Sequence, residues 1–166
     1  MKACKLLLKK ENLNSTNPVI SRYMENYSEL MKIGSLLETK EQLFYEKDLL
    51  MGILWEGDAQ LHTNWPGMEK SPFGKVIVHG NSVTSKVVGQ LLRMYFAEAD
   101  KVIINDLGVS YVGAVNIGDR IKGSFTIVGF DKTSKDSRML LDFEVKKNKD
   151  TVVSKGKMTI QVVERR

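Results

Sequence analysis

The strongest periodic signal in the chain lies between Val83 and Phe96. Val83, Val87, Val88, Leu91, Leu92, Tyr95 and Phe96 recur at helical spacing and predict a helix with one broad apolar face. His79-Gly80 precedes it, and Asn81 or Ser82 offers a side-chain cap. Just upstream, Lys75–Val78 reads as a short strand. After the helix the period switches from helical spacing to alternation. Lys101–Ile104 reads as a strand, Asn105–Gly108 as a turn by composition, and Val109–Val115 as a further strand. Residues 120–130 set Ile121, Gly123, Phe125 and Ile127 against Lys122, Ser124 and Thr126. Residues 139–146 set Leu141, Phe143 and Val145 against Asp142, Glu144 and Lys146, and 152–163 put Met158, Ile160 and Val162 on one face. Polar turns over 131–138 and 147–150 separate these three strands.

The first part of the chain reads differently. Residues 1–15 are Lys-rich and then Asn-rich. Asn17-Pro18 is a helix start, and Ile20, Tyr23, Met24, Tyr27, Leu30 and Met31 follow at helical spacing to an end near Gly34. A helix then opens on Glu46-Lys47-Asp48, with Leu49, Leu50, Ile53 and Leu54 as its apolar side. One long helix among consecutive strands predicts an α+β domain, an antiparallel sheet wrapped around a single helix. The expected division is an N-terminal extension over 1–30 and one domain over 31–166.

Composition narrows the function classes. At 166 residues the chain is the size of one domain, and 42% hydrophobic with 27% charged residues is ordinary for a globular protein. No apolar run approaches the ~20 residues of a membrane helix, and Leu6-Leu7-Leu8 is short for a secretory core. A cytoplasmic location is the expectation. A single cysteine, Cys4, excludes an internal disulfide framework. With two histidines it argues against a Cys/His metal site, so neither metal nor cofactor is expected. The net charge of +5 comes from 25 basic and 20 acidic residues without long like-charged runs. That balance suits the phosphates of coenzyme A or an acidic carrier protein, and gives no footprint for nucleic acid.

Candidate chemistry gathers in residues 57–80. Gly57-Asp58 is followed by Leu61-His62, then by a loop ending Ser71-Pro72-Phe73-Gly74, then by Ile77-Val78-His79-Gly80 and the long apolar helix. This order resembles the MaoC-like dehydratases, including the (R)-specific enoyl-CoA hydratases, whose pattern runs GD-x-N-P-x-H-x-D, PFG, I-x-HG, helix. The stretch VSYVGAVNIGDRI (109–121) resembles a later piece of the same pattern, and the resemblance spans Met31 to Glu164. It departs in one place: Asp58 stands one residue closer to His62 than in the family. Gln60 falls where the family has Asn-Pro, and Asn64 replaces a later Asp.

The resemblance implies the hot-dog fold, a homodimer or dimer of dimers, and reversible addition of water to a 2-enoyl thioester in fatty acid metabolism. It assigns Asp58 as base on the water and His62 to orient it and handle the second proton. Imidazole is the side chain that titrates nearest neutrality, which suits that exchange. The N–H of Gly80, at the helix N-terminus, would hold the thioester oxygen. Asn64, Trp65 and Ser85 would line the substrate path. An Asp followed closely by a His is common by chance, and Trp65 or Ser85 could equally be ordinary packing or helix positions. His79, after a buried apolar segment, reads as a structural histidine bonded to backbone. Two further readings stay open: a hot-dog acyl-CoA thioesterase, using a carboxylate to direct water at the thioester carbon, or an inactive acyl-CoA-binding protein.

Overall fold

A computed structural model of the chain describes residues 31–50, 59–97, 99, 101–133 and 136–163. The chain divides into two compact units, Met1–Lys32 and Ile33–Arg166. The helix expected from Asn17 falls almost wholly outside the described residues, as do Ile53, Leu54 and Asp58. The second unit contains β1 (Leu36–Glu38), β2 (Gln42–Leu43), a 3-10 turn over Glu46–Leu49, α1 (Ala59–Thr63) and α2 (Trp65–Glu69). The long helix α3 (Gly80–Tyr95) follows, then β3 (Lys101–Tyr111), β4 (Arg120–Lys132), β5 (Asp136–Lys147) and β6 (Thr151–Val163).

The strands form one antiparallel sheet in the order β1-β4-β5-β6-β3, with β2 also on β4. Alternation decides which side is core. Ile121, Phe125 and Ile127 of β4 are buried together with Met139, Leu141, Phe143 and Val145 of β5 and Met158, Ile160 and Val162 of β6. Val83, Val87, Val88 and Leu91 of α3 are buried as well. Each such side chain contributes roughly 1.5–3 kcal/mol relative to exposure, so the apolar faces of helix and sheet together stabilise the fold. Gly123 sets how closely the helix seats, because a Cβ there would run into Val87 Cγ1 and crowd Phe125. This is the hot-dog arrangement.

Several boundaries differ from the sequence reading. Residues 75–78 join no ladder: Lys75 lies in a bend and 76–78 form no regular element. Isolated bonds hold them: Ile77 N–H to Leu61 O at 3.1 Å, Val78 N–H to Val115 O at 2.7 Å, and Asn116 Nδ2 to Val76 O at 3.2 Å. The expected turn at Asn105–Gly108 is part of one continuous strand. β6 pairs with β3 on both sides of it, and a bulge between Ile104 and Asp106 absorbs Asn105. Beyond Tyr111 the chain leaves the ladder, so the strand expected over 109–115 ends early. The β4–β5 turn is tighter than 131–138, since both strands extend towards Thr133.

Candidate active site

His62 lies in α1, a single helical turn that buries it to 3% exposure. Its Nδ1 sits 2.7 Å from the carbonyl oxygen of Ile77. A carbonyl only accepts, so Nδ1 carries a proton and donates, and in the neutral ring Nε2 bears the lone pair. The bond ties the turn that carries His62 to the segment leading into α3. His79 is the N-cap of α3, and its Nδ1 accepts the N–H of Asn81 at 3.2 Å. It is bonded to backbone, as read from the sequence. Its cap replaces the one expected of Asn81 or Ser82, and the helix starts earlier, at Gly80. The two imidazoles lie 5.0 Å apart, centroid to centroid.

Gly80 is the first residue of α3. First-turn N–H groups have no partner within a helix. Those of Asn81, Ser82 and Val83 bond back to His79, while that of Gly80 has no acceptor among the described residues. It therefore presents a donor at the positive end of a helix dipole. The ring of Tyr111 lies against it: a Cβ at position 80 would come within 2.7 Å of Tyr111 Cε1. The Tyr111 hydroxyl donates to Asn81 Oδ1 at 2.7 Å and receives a longer bond from Thr84 Oγ1 at 3.4 Å.

His62, Ile77, Gly80, Tyr111, Val115 and Ser154 line one cleft of about 400 Å³. Its far wall comes from the end of β3, the loop after it and the start of β6. That loop is fixed from behind by Asp119. Partial burial raises the Asp119 carboxyl. The backbone N–H of Asn116, the amide of Asn148 and the Lys147 ammonium outweigh it and hold the group below the usual carboxylate range. A wider depression of about 700 Å³ lies among strand residues such as Ser124, Glu144, Lys155 and Lys157. It has no imidazole and no helix N-terminus, so the smaller cleft is the candidate site.

The structure thus brings His62 and Gly80 to one cleft and keeps three other expected residues out of its wall. Asn64 caps α2: its Oδ1 accepts the Gly67 N–H at 3.0 Å and its Nδ2 donates to Gln60 at 2.8 Å. Trp65, next to it, is 48% exposed. Ser85 lies on the exposed side of α3. Asp58 immediately precedes α1 and lies outside the described residues. Tyr111 and Ser154 were not anticipated, because only the pairing of β3 with β6 carries them to the cleft. Among the described residues no group of three or more metal-ligating side chains comes together, and no helix is long and apolar enough to cross a membrane.

No protein-family model matches the chain, and no curated protein is significantly similar to it. Solved structures are similar. The monoamine oxidase regulatory protein of Archaeoglobus fulgidus superposes with a TM-score of 0.68 at 24% identity, covering 83% of this chain and 94% of that one. The MaoC-like dehydratase of Rhodospirillum rubrum gives 0.69 at 15% identity, covering 83% and 97%. An (R)-hydratase of Pseudomonas aeruginosa gives 0.67 at 19% identity, covering 84% and 86%. At these identities the likeness establishes the architecture, and the chain has the hot-dog fold found in MaoC-like dehydratases and (R)-hydratases.

Proposed function

We propose that this protein is a hydratase/dehydratase that adds water reversibly across the double bond of a 2-enoyl thioester, giving a 3-hydroxyacyl thioester. The observation that carries the reading is the pairing, in one cleft, of an oriented imidazole with a helix N-terminal donor that has no acceptor among the described residues. Ile77 O holds the proton of His62 on Nδ1, so Nε2 is the ring nitrogen that would exchange protons with a ligand. The Gly80 N–H is the group that would meet the thioester oxygen, where negative charge builds as C2 becomes enolate-like. In this reading Asp58 takes a proton from the water as its oxygen bonds to C3. A proton reaches C2 by way of His62. The proton that Asp58 takes would be the one that passes through His62 to C2, so the water supplies both the C3 hydroxyl and the C2 hydrogen and both side chains return to their starting state. Coenzyme A or an acyl carrier protein would carry the acyl group, and the protein would work in the cytoplasm as a homodimer.

Crotonyl-CoA and a longer 2-enoyl-CoA test this directly, through loss of the conjugated thioester absorbance. Wild type is expected to turn both over, and Asp58→Asn and His62→Asn are each expected to lower kcat at least about a hundredfold. Release of free CoA without 3-hydroxyacyl-CoA would replace this reading with the thioesterase. Binding without either product would leave a binding protein.

A further inference from the structure

Ser154 stands directly opposite Tyr111 in the β3–β6 ladder, so the two side chains leave the sheet on the same face. Tyr111 identifies that face: its ring lies on Gly80 and its hydroxyl on Asn81. Ser154 therefore projects towards the cleft, whose wall it shares with His62 and Ile77. It is fully buried, at 0% exposure, and its Oγ has no hydrogen-bond partner among the described residues. A buried hydroxyl left in that condition is unfavourable, and a polar group of this kind at a cleft wall is explained by a ligand or water that completes it.

The chemistry of a hydroxyl narrows what that ligand atom is. Ser donates one hydrogen bond and accepts others. A thioester carbonyl can only accept, and Gly80 already offers it a donor. A water molecule, or the 3-hydroxyl formed from it, both donates and accepts, which matches Ser154. We propose that Ser154 holds the oxygen that is added at C3, together with His62: the attacking water in one direction, the 3-hydroxyl of the product in the other. Ser154 transfers no proton and forms no bond to carbon. This assignment rests on the hydratase reading above.

Ser154→Ala tests it, with kinetics in both directions and a thermal melt. In hydration, kcat is expected to fall about tenfold while KM for crotonyl-CoA stays within twofold. In dehydration, KM for (R)-3-hydroxybutyryl-CoA is expected to rise about tenfold with kcat within twofold, which keeps the overall equilibrium constant unchanged. The melting temperature is expected not to fall, since the variant removes an unpartnered buried hydroxyl. Unchanged kinetics, or losses that accompany a lowered melting temperature and affect both thioesters alike, would overturn the assignment. Should wild type form no 3-hydroxyacyl-CoA, the hydratase reading itself fails, and calorimetric titration of both thioesters into the inert protein decides on Ser154. About tenfold weaker binding of the 3-hydroxy thioester alone in Ser154→Ala upholds its role, and equal binding, or none to either protein, refutes it.

Discussion

Asp119 acts on the cleft through its charge, although it is not part of the cleft wall. Its Oδ2 accepts the Asn116 N–H at 2.9 Å and the Lys147 ammonium at 3.3 Å, and its Oδ1 accepts the Asn148 amide at 2.8 Å. Lys147 also donates to Ala114 O at 2.7 Å, so the carboxylate, the ammonium and the loop behind the cleft form one network. Because the folded carboxyl is held below its ordinary range, folding favours the ionised form. That contribution is complete above the ordinary carboxylate range, near ~3.9, and disappears as pH falls through the lower folded value. Asp119→Asn is expected to destabilise the protein by about 1–2 kcal/mol at neutral pH, by loss of charge-assisted bonds. The deficit should shrink progressively below about pH 4. Denaturant melts of both proteins at pH 7 and at pH 3 check this; a deficit that does not change with pH would remove the charge from the explanation.

The helix and the last three strands were legible from spacing because burial enforced it. Val83, Val87, Val88 and Leu91 face a core that only their spacing could fill, and the alternations in β4, β5 and β6 match their buried faces. Two segments were misread for opposite reasons. Asn105–Gly108 has turn composition, but pairing with β6 on both sides outweighs local preference, and a bulge takes up the misfit. Val76–Val78 has strand composition, yet its nearest partners are single groups on α1 and the loop after β3, so no ladder forms. His62 and Gly80 were visible through short local patterns, whereas Tyr111 and Ser154 reach the cleft only through pairing between distant strands. Gly123 shows how tightly these elements are fitted. Gly123→Ala would press a methyl group onto Val87 in the helix and Phe125 beside it. Destabilisation of about 1–3 kcal/mol is expected from such overpacking. Combining it with Val87→Ala should recover part of the loss, and a denaturation cycle over the four proteins measures that coupling.

Among the described residues the sheet ends on β3, and that edge is open to a partner strand. β3 is eleven residues long, Lys101–Tyr111, and among the described residues only β6 pairs with it. Its outer row of N–H and C=O groups is a template for another strand. The strand also carries Ile103, Ile104, Leu107 and Tyr111, each at least 40% exposed, and Val112 follows at 55%. Soluble proteins usually shorten, charge or cover such an edge. A second copy offers the same edge, and antiparallel strands related by a twofold axis can pair with themselves, which closes the assembly at two chains. That contact would continue the sheet across both subunits and cover the apolar side chains. It would also pass beside Tyr111, whose ring lies on Gly80, so the cleft would border the seam. The protein is therefore expected to be a dimer in light scattering at micromolar concentration. Ile103→Lys with Leu107→Lys, which puts four like charges along the paired edges, should convert it to monomers and reduce turnover together with dimer content. A wild-type monomer at that concentration, or a charged variant that stays dimeric, would move the interface away from β3.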